Sequence, residues 1–194
     1  MTNLVKNIGI EVFAMGNGWQ TISLKFDETE VGFLASYIGD CPLSTLITLV
    51  AKIDVCIEDG DLPIKRHTEW FQEPGAMQFI VESDGNIDNI TIKKTYRDVL
   101  CVDFNVEEME NPDEIYHFQV RHEDLRNAVI AEATSMLKEF GILGYNSNWN
   151  DEPDNFPVSA FLYLLGNKVT SDDEDCDIYT SRLDDEINLL KSIL

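Results

Sequence analysis

Up to about residue 121 the apolar side chains of this chain mostly alternate with polar ones; beyond it they recur every three or four residues. A period of two places alternate residues on one face of a strand, and a period near 3.6 does the same on a helix. The switch therefore dictates a strand-rich first part and a helical last part. Residues 10–15 are apolar apart from Glu11, and Gly16-Asn17-Gly18 supplies residues suited to a tight turn. Residues 21–26 alternate cleanly, with Ile22, Leu24 and Phe26 inward. Residues 31–38 are apolar on both faces, which predicts a central strand covered on both sides.

One helix interrupts this meander at about 41–57. Asp40 can cap it, Pro42 suits its first turn, and Leu43, Leu46, Ile47, Val50 and Ile53 form its apolar stripe. Glu58-Asp59-Gly60 ends it. Strands are then expected at 65–71, 77–81, 87–95, 100–106 and 115–121, with Met77, Phe79 and Val81 on one face and Ile90 and Ile92 pointing inward. Pro74-Gly75 fits the central positions of a type II turn. From 122 to 168 the pattern is helical: Leu125, Val129, Ala133, Met136, Leu137 and Phe140 share a face, and Gly141 is a natural stop. A polar loop at 145–155, a short buried helix at 156–165 and an acidic connector from 169 precede a C-terminal helix carrying Leu183, Ile187, Leu190 and Leu194. The pattern predicts one α+β domain over 1–194: a mostly antiparallel meandering sheet with helices packed on it, then a helical C-terminal third.

The formal charge of −22, from 36 acidic and 14 basic residues, limits the partners. Such a surface repels nucleic acid and anionic membrane and attracts a basic protein. With 44% hydrophobic residues the chain still has the material for a core, so the acidity is a surface property. Cys41, Cys56, Cys101 and Cys176 are far apart and show no framework, which suits reduced thiols in a cytoplasmic protein. The first residues lack the apolar run of a signal peptide, and no eighteen apolar residues run together.

Chemistry-bearing patterns are sparse. Asp173, Asp175, Asp177, Ser181 and Asp184 have the spacing of a calcium loop, but Ile178 stands where such a loop needs glycine and Asp184 where it needs glutamate. A solvated acidic connector is the expectation, and no cofactor is expected. His117 and His122 lie five apart with Asp124 close by, and His67 stands alone; zinc would need a third ligand, and no cysteine is near in sequence. His122 also occupies a helix N-cap position. No nucleophile elbow, phosphate loop or dinucleotide fingerprint is present. The cysteines sit in apolar or acidic settings, which blunt a thiol. The balance leans away from an enzyme. Its rival is a ligand-binding or catalytic pocket between sheet and helices that uses His117 or His122.

Two stretches favour binding instead. Trp149, Asp151, Glu152 and Asp154 combine an aromatic anchor with carboxylates in the 145–155 loop, a pairing suited to a cationic partner. Trp70 and Glu73 repeat that combination in a hairpin. The hairpin's W-x-x-E-P-G pattern (Trp70, Glu73, Pro74, Gly75), following a meander and preceding an alternating strand after Asp84-Gly85, resembles small acidic bacterial immunity-type proteins of toxin systems. The resemblance spans the first half of the chain. It implies a cytoplasmic binder that neutralises a basic toxin, such as a nuclease, by occlusion.

Overall fold

The computed structural model describes residues 4–16, 18–36, 39–97, 109, 111–149, 155–167 and 183–193. Within them the chain is α+β, with two antiparallel sheets and four helices. The first sheet is a meander of β1 (Ile8–Gly16), β2 (Trp19–Phe26) and β3 (Thr29–Ser36). The second is a meander of β4 (Ile64–Phe71), β5 (Ala76–Ser83), β6 (Ile87–Thr95) and β7 (Glu114–Arg121). Helix α1 (Pro42–Asp59) joins the sheets; α2 (His122–Trp149), α3 (Val158–Leu164) and α4 (Leu183–Ile193) follow. The expected strand at 100–106 and the acidic run at 171–177 lie outside the described residues. None of the described helices is long and apolar enough to cross a membrane.

The alternation of β2 and the helical stripe of α1 meet in one core. Ile22, Leu24 and Phe26 of β2 are buried with Leu43, Leu46, Ile47, Val50 and Ile53 of α1. The sheets join where Val5 N–H donates to the Gln119 carbonyl at 2.8 Å and Phe26 stacks on Phe118 at 3.9 Å. Helix α2 covers the free edge of β1: Glu132 accepts the Val12 N–H at 2.7 Å, beside an irregularity between Val12 and Ala14. Covering an edge in this way removes a template for unwanted strand pairing.

Three local expectations are corrected. β3 is an edge strand with one buried face, and Leu34 is 44% exposed because none of the described residues covers the outer face. The strand covered on both sides is β5, whose residues 76–81 are all buried. Its second face lies under Met109, whose N–H donates to Gln78 Oε1 at 2.9 Å. Helix α1 is not capped by Asp40: the cap position is Cys41, and Gln20 of β2 accepts the free Leu43 N–H at 3.2 Å. A buried strand amide thus does what the exposed carboxylate could have done. The hairpin at Pro74 is not a type II turn, because the Glu73–Pro74 bond is cis and the loop spans 72–75 between the paired Phe71 and Ala76.

The break at Gly141 is real, but the helix resumes after it. Gly141 has φ 64° and ψ 173°, a backbone region open essentially to glycine alone. Beyond it Tyr145 and Trp149, four apart, turn the same face inward, so the expected polar loop is helical to residue 149. Asn146 ties this arm to the next segment, its Oδ1 accepting the Phe156 N–H at 2.8 Å. A Cβ at Gly141 would meet nothing within 4 Å, so Gly141→Ala probes backbone strain alone. It is expected to lower stability by about 1–3 kcal/mol in urea unfolding; an unchanged midpoint would mean the break tolerates any residue.

At the C-terminus, Leu190 and Ile193 of α4 pack partly against the core, and Ile187 stays exposed.

Candidate functional site

Three chain segments converge at one end of the molecule: the last turns of α1, the turn between β5 and β6, and the first turn of α2. Asp84 locks the strand turn by accepting the N–H groups of Asn86 (2.9 Å) and Ile87 (2.8 Å). Those backbone hydrogen bonds hold its carboxyl below the usual carboxylate range. The turn sits tightly on the segment that leaves α1, since a Cβ on Gly85 (φ 93°) would stand 2.8 Å from Leu62. Helix α2 starts directly after β7, where His122 N–H donates to the Asn86 carbonyl at 2.9 Å. Between the three segments lies a cleft of about 610 Å³ lined by Asp54, Glu58, Asn86, Arg121, Glu123 and Arg126.

Beneath it is a buried network of charges. His122 is 5% exposed; its Nδ1 lies 2.9 Å from Asp88 Oδ2 and its Nε2 2.6 Å from Asp54 Oδ1. Arg126, one turn further along α2, donates from Nε to Asp54 Oδ2 at 2.9 Å and from Nη2 to the Leu164 carbonyl of α3. Two carboxylate acceptors on one imidazole require both ring nitrogens to carry protons. Burial by itself lowers the His122 pKa, but the hydrogen bonds and charges of Asp54 and Asp88 outweigh it and raise the value to about 9. Asp54 shows the same contest: burial raises its pKa, and the hydrogen bonds from His122 and Arg126 bring it below normal. Two anions and two cations balance, so the network is neutral overall and fastens α1, β6, α2 and α3 together.

At the rim, carboxylates outnumber the exposed cation Arg121 among the described residues. Glu58 and Asp59 end α1, no basic residue lies in its last turn, and Asp61 follows. The C-terminus of a helix carries partial negative charge, so carboxylates there cost about 0.3–1 kcal/mol each compared with cations. Glu123 and Asp124 open α2, where the dipole favours them. Glu58, Asp59, Asp61, Asp84 and Glu123 are all exposed. Helix stability does not explain why α1 ends in acid.

The structure separates the residues that the sequence pattern singles out. Trp149 is 1% exposed and Trp70 is 0% exposed, so neither presents an anchor to a partner. Trp70 donates from its indole N–H to Thr45 Oγ1 at 2.8 Å and stacks on Phe79 at 6.0 Å. Glu73 is exposed, but its loop lies at the far end of β5 from the acidic cleft. Asp151, Glu152, Asp154, Asp173, Asp175, Asp177 and Ser181 lie outside the described residues. Asp184 is exposed on α4, and among the described residues no three His, Cys, Asp or Glu side chains come together as metal ligands would.

The histidines also part company. His117 is exposed on β7 with Nδ1 3.1 Å from Thr91 Oγ1, and His67 is exposed on β4. His122, with both nitrogens donating, has no lone pair to offer a substrate or metal. Asp54, Asp88 and Arg126 complete the network, yet no motif marks them. Two signals were available: Asp88 falls in register with the inward Ile90 and Ile92, and Arg126 lies four residues after His122 on one helix face. An aspartate at an inward strand position demands a buried cation.

Comparison with protein-family models, curated proteins and solved structures finds no match for this chain.

Proposed function

We propose that this chain is a non-enzymatic binding module that lays its acidic end against a basic surface of a partner protein and occludes it. The supporting observation is the run of carboxylates at the end of α1, a turn that holds no basic residue, set on an internally neutral network. Long-range attraction brings the partner in; a preorganised surface then loses little freedom on docking. A cytoplasmic bacterial immunity protein that neutralises a basic toxin, such as a nuclease, is the specific form of this role, and it rests on the hairpin resemblance. The role no longer depends on Trp149 or Trp70.

Affinity capture with charge variants tests it. The triple variant Asp59→Asn, Asp61→Asn, Glu123→Gln should lose a stoichiometric basic protein that the unaltered chain retains. A control variant, Glu28→Gln, Glu139→Gln, Asp184→Asn, removes three exposed carboxylates elsewhere and should retain it. Equal loss from both variants would make the acidity a general property and remove the site.

A further inference from the structure

A second concavity, independent of the acidic end, runs between α1, β4 and α3. Its polar part, about 470 Å³, is lined by Ser44, Thr45, Thr48, Lys52, Arg66 and Thr68 among others. An adjoining part of about 360 Å³ is walled mainly by Ala51, Val55, Cys56, Ala160 and Tyr163 and shares Thr48, Lys52 and Arg66 with the first. Each volume falls within the range that small-molecule sites occupy, about 300–1,000 Å³.

Two cations, Lys52 and Arg66, stand at the junction and line both parts of the groove. With 36 acidic residues against 14 basic ones, carboxylates are available to pair most Lys and Arg side chains. Lys25, Lys65, Lys94 and Arg126 each have such a partner. Lys52 has none among the described residues. Among the described residues the Arg66 guanidinium meets only the Lys65 carbonyl at 3.1 Å and Cys56 Sγ at 3.9 Å. Among the described residues Asp40 is the one carboxylate lining the groove. It precedes α1, some ten helical residues before Lys52, and so stands roughly 15 Å away along the helix axis. Two cations without a carboxylate partner among the described residues, set beside an apolar chamber, match the charged head and apolar body of an amphipathic anion.

We infer that this groove binds a small amphipathic organic anion. The carboxylate or phosphate head lies between Lys52 and Arg66, within reach of the Thr68 hydroxyl, and the apolar body enters the chamber beside Val55 and Ala160. The inference stands apart from the protein-binding role, since the groove shares no rim residue with the acidic end.

Titration of the full-length chain, followed by amide NMR shifts, tests it with four probes: octanoate, octyl phosphate, octanol and inorganic phosphate. Saturable shifts confined to α1, β4 and α3 residues around the groove are expected for octanoate or octyl phosphate, and the tighter of the two identifies the head group. Octanol and inorganic phosphate should each bind about tenfold or more weakly, because each lacks half of the recognition. Lys52→Met with Arg66→Gln should weaken the anion about tenfold, and Ala160→Phe should block the chamber while leaving the spectrum otherwise folded. Octanol binding as tightly as octanoate, shifts spread away from the groove, or no saturation by either anion would overturn the assignment. The probe comparison needs no variant, so a misfolded variant does not rescue it.

Discussion

His122→Asn is expected to cost about 3–5 kcal/mol of stability near neutral pH, the scale seen when one partner of a buried ion pair is removed. The variant leaves Asp54 with Arg126 alone and takes from the buried Asp88 its imidazolium partner. The unaltered chain should also carry a pH signature. The His122 pKa is raised from 6.5 to about 9 on folding, so the folded state holds its proton more tightly than the unfolded state does. A raised pKa stabilises fully below the unfolded value, and that stabilisation fades as pH climbs through the folded one. Unfolding free energy should therefore fall between pH 6.5 and about 9, by about 3 kcal/mol in all. Asp54 works in the opposite direction: its lowered pKa adds stability above the ordinary carboxylate range, which is lost as pH falls through the folded value. Urea unfolding across this window measures both. A flat profile from neutral to alkaline pH in the unaltered chain would mean that His122 is not held as an imidazolium.

Trp70→Ala is expected to cost about 3–5 kcal/mol, since a large side chain leaves a packed interior that relaxes only in part. Trp70 lies between Phe33 (6.3 Å) and Phe79 (6.0 Å), and its indole N–H reaches Thr45 on α1, so the substitution also loosens the helix from the sheet. Trp70→Phe keeps most of the packing and should cost about 1 kcal/mol for the lost hydrogen bond. Trp149→Ala should behave like Trp70→Ala. A surface anchor would respond differently, its removal changing stability by about 0.5 kcal/mol at most. Thermal unfolding of Trp70→Ala separates the cases: a melting point within a degree or two of the parent would return Trp70 to the surface.

What could be read from residue order was what depends on local periodicity. The stripe of α1, its end at Gly60, the inward Ile90 and Ile92 and the face of α2 from Leu125 to Leu137 all follow from side-chain spacing, and together they predict the α+β class. Two errors share a cause. Residues 145–149 are polar enough to suggest a loop, and Trp149 stands close to carboxylates along the chain, yet the Tyr145–Trp149 spacing buries both rings. Chain neighbours describe the environment of a side chain only where the backbone carries it to the surface. The doubly covered strand was misplaced because β3 and β5 are both apolar, and cover depends on Met109, which arrives from elsewhere in the chain. The charge network is the extreme case: positions 54, 88, 122 and 126 meet only after two helices have packed against the second sheet. The chain's order marks His122 as a residue of interest but is silent about its partners.

The direct test of the acidic end as a docking face is its association rate with the captured basic partner, followed by stopped flow across a range of salt concentrations. Electrostatic steering predicts an on-rate that falls steeply with ionic strength and an off-rate that barely moves. In the Asp59, Asp61 and Glu123 amide variant the on-rate should be slower at low salt and its salt slope shallower. An on-rate indifferent to salt, or a variant with the parent's slope, would contradict the account.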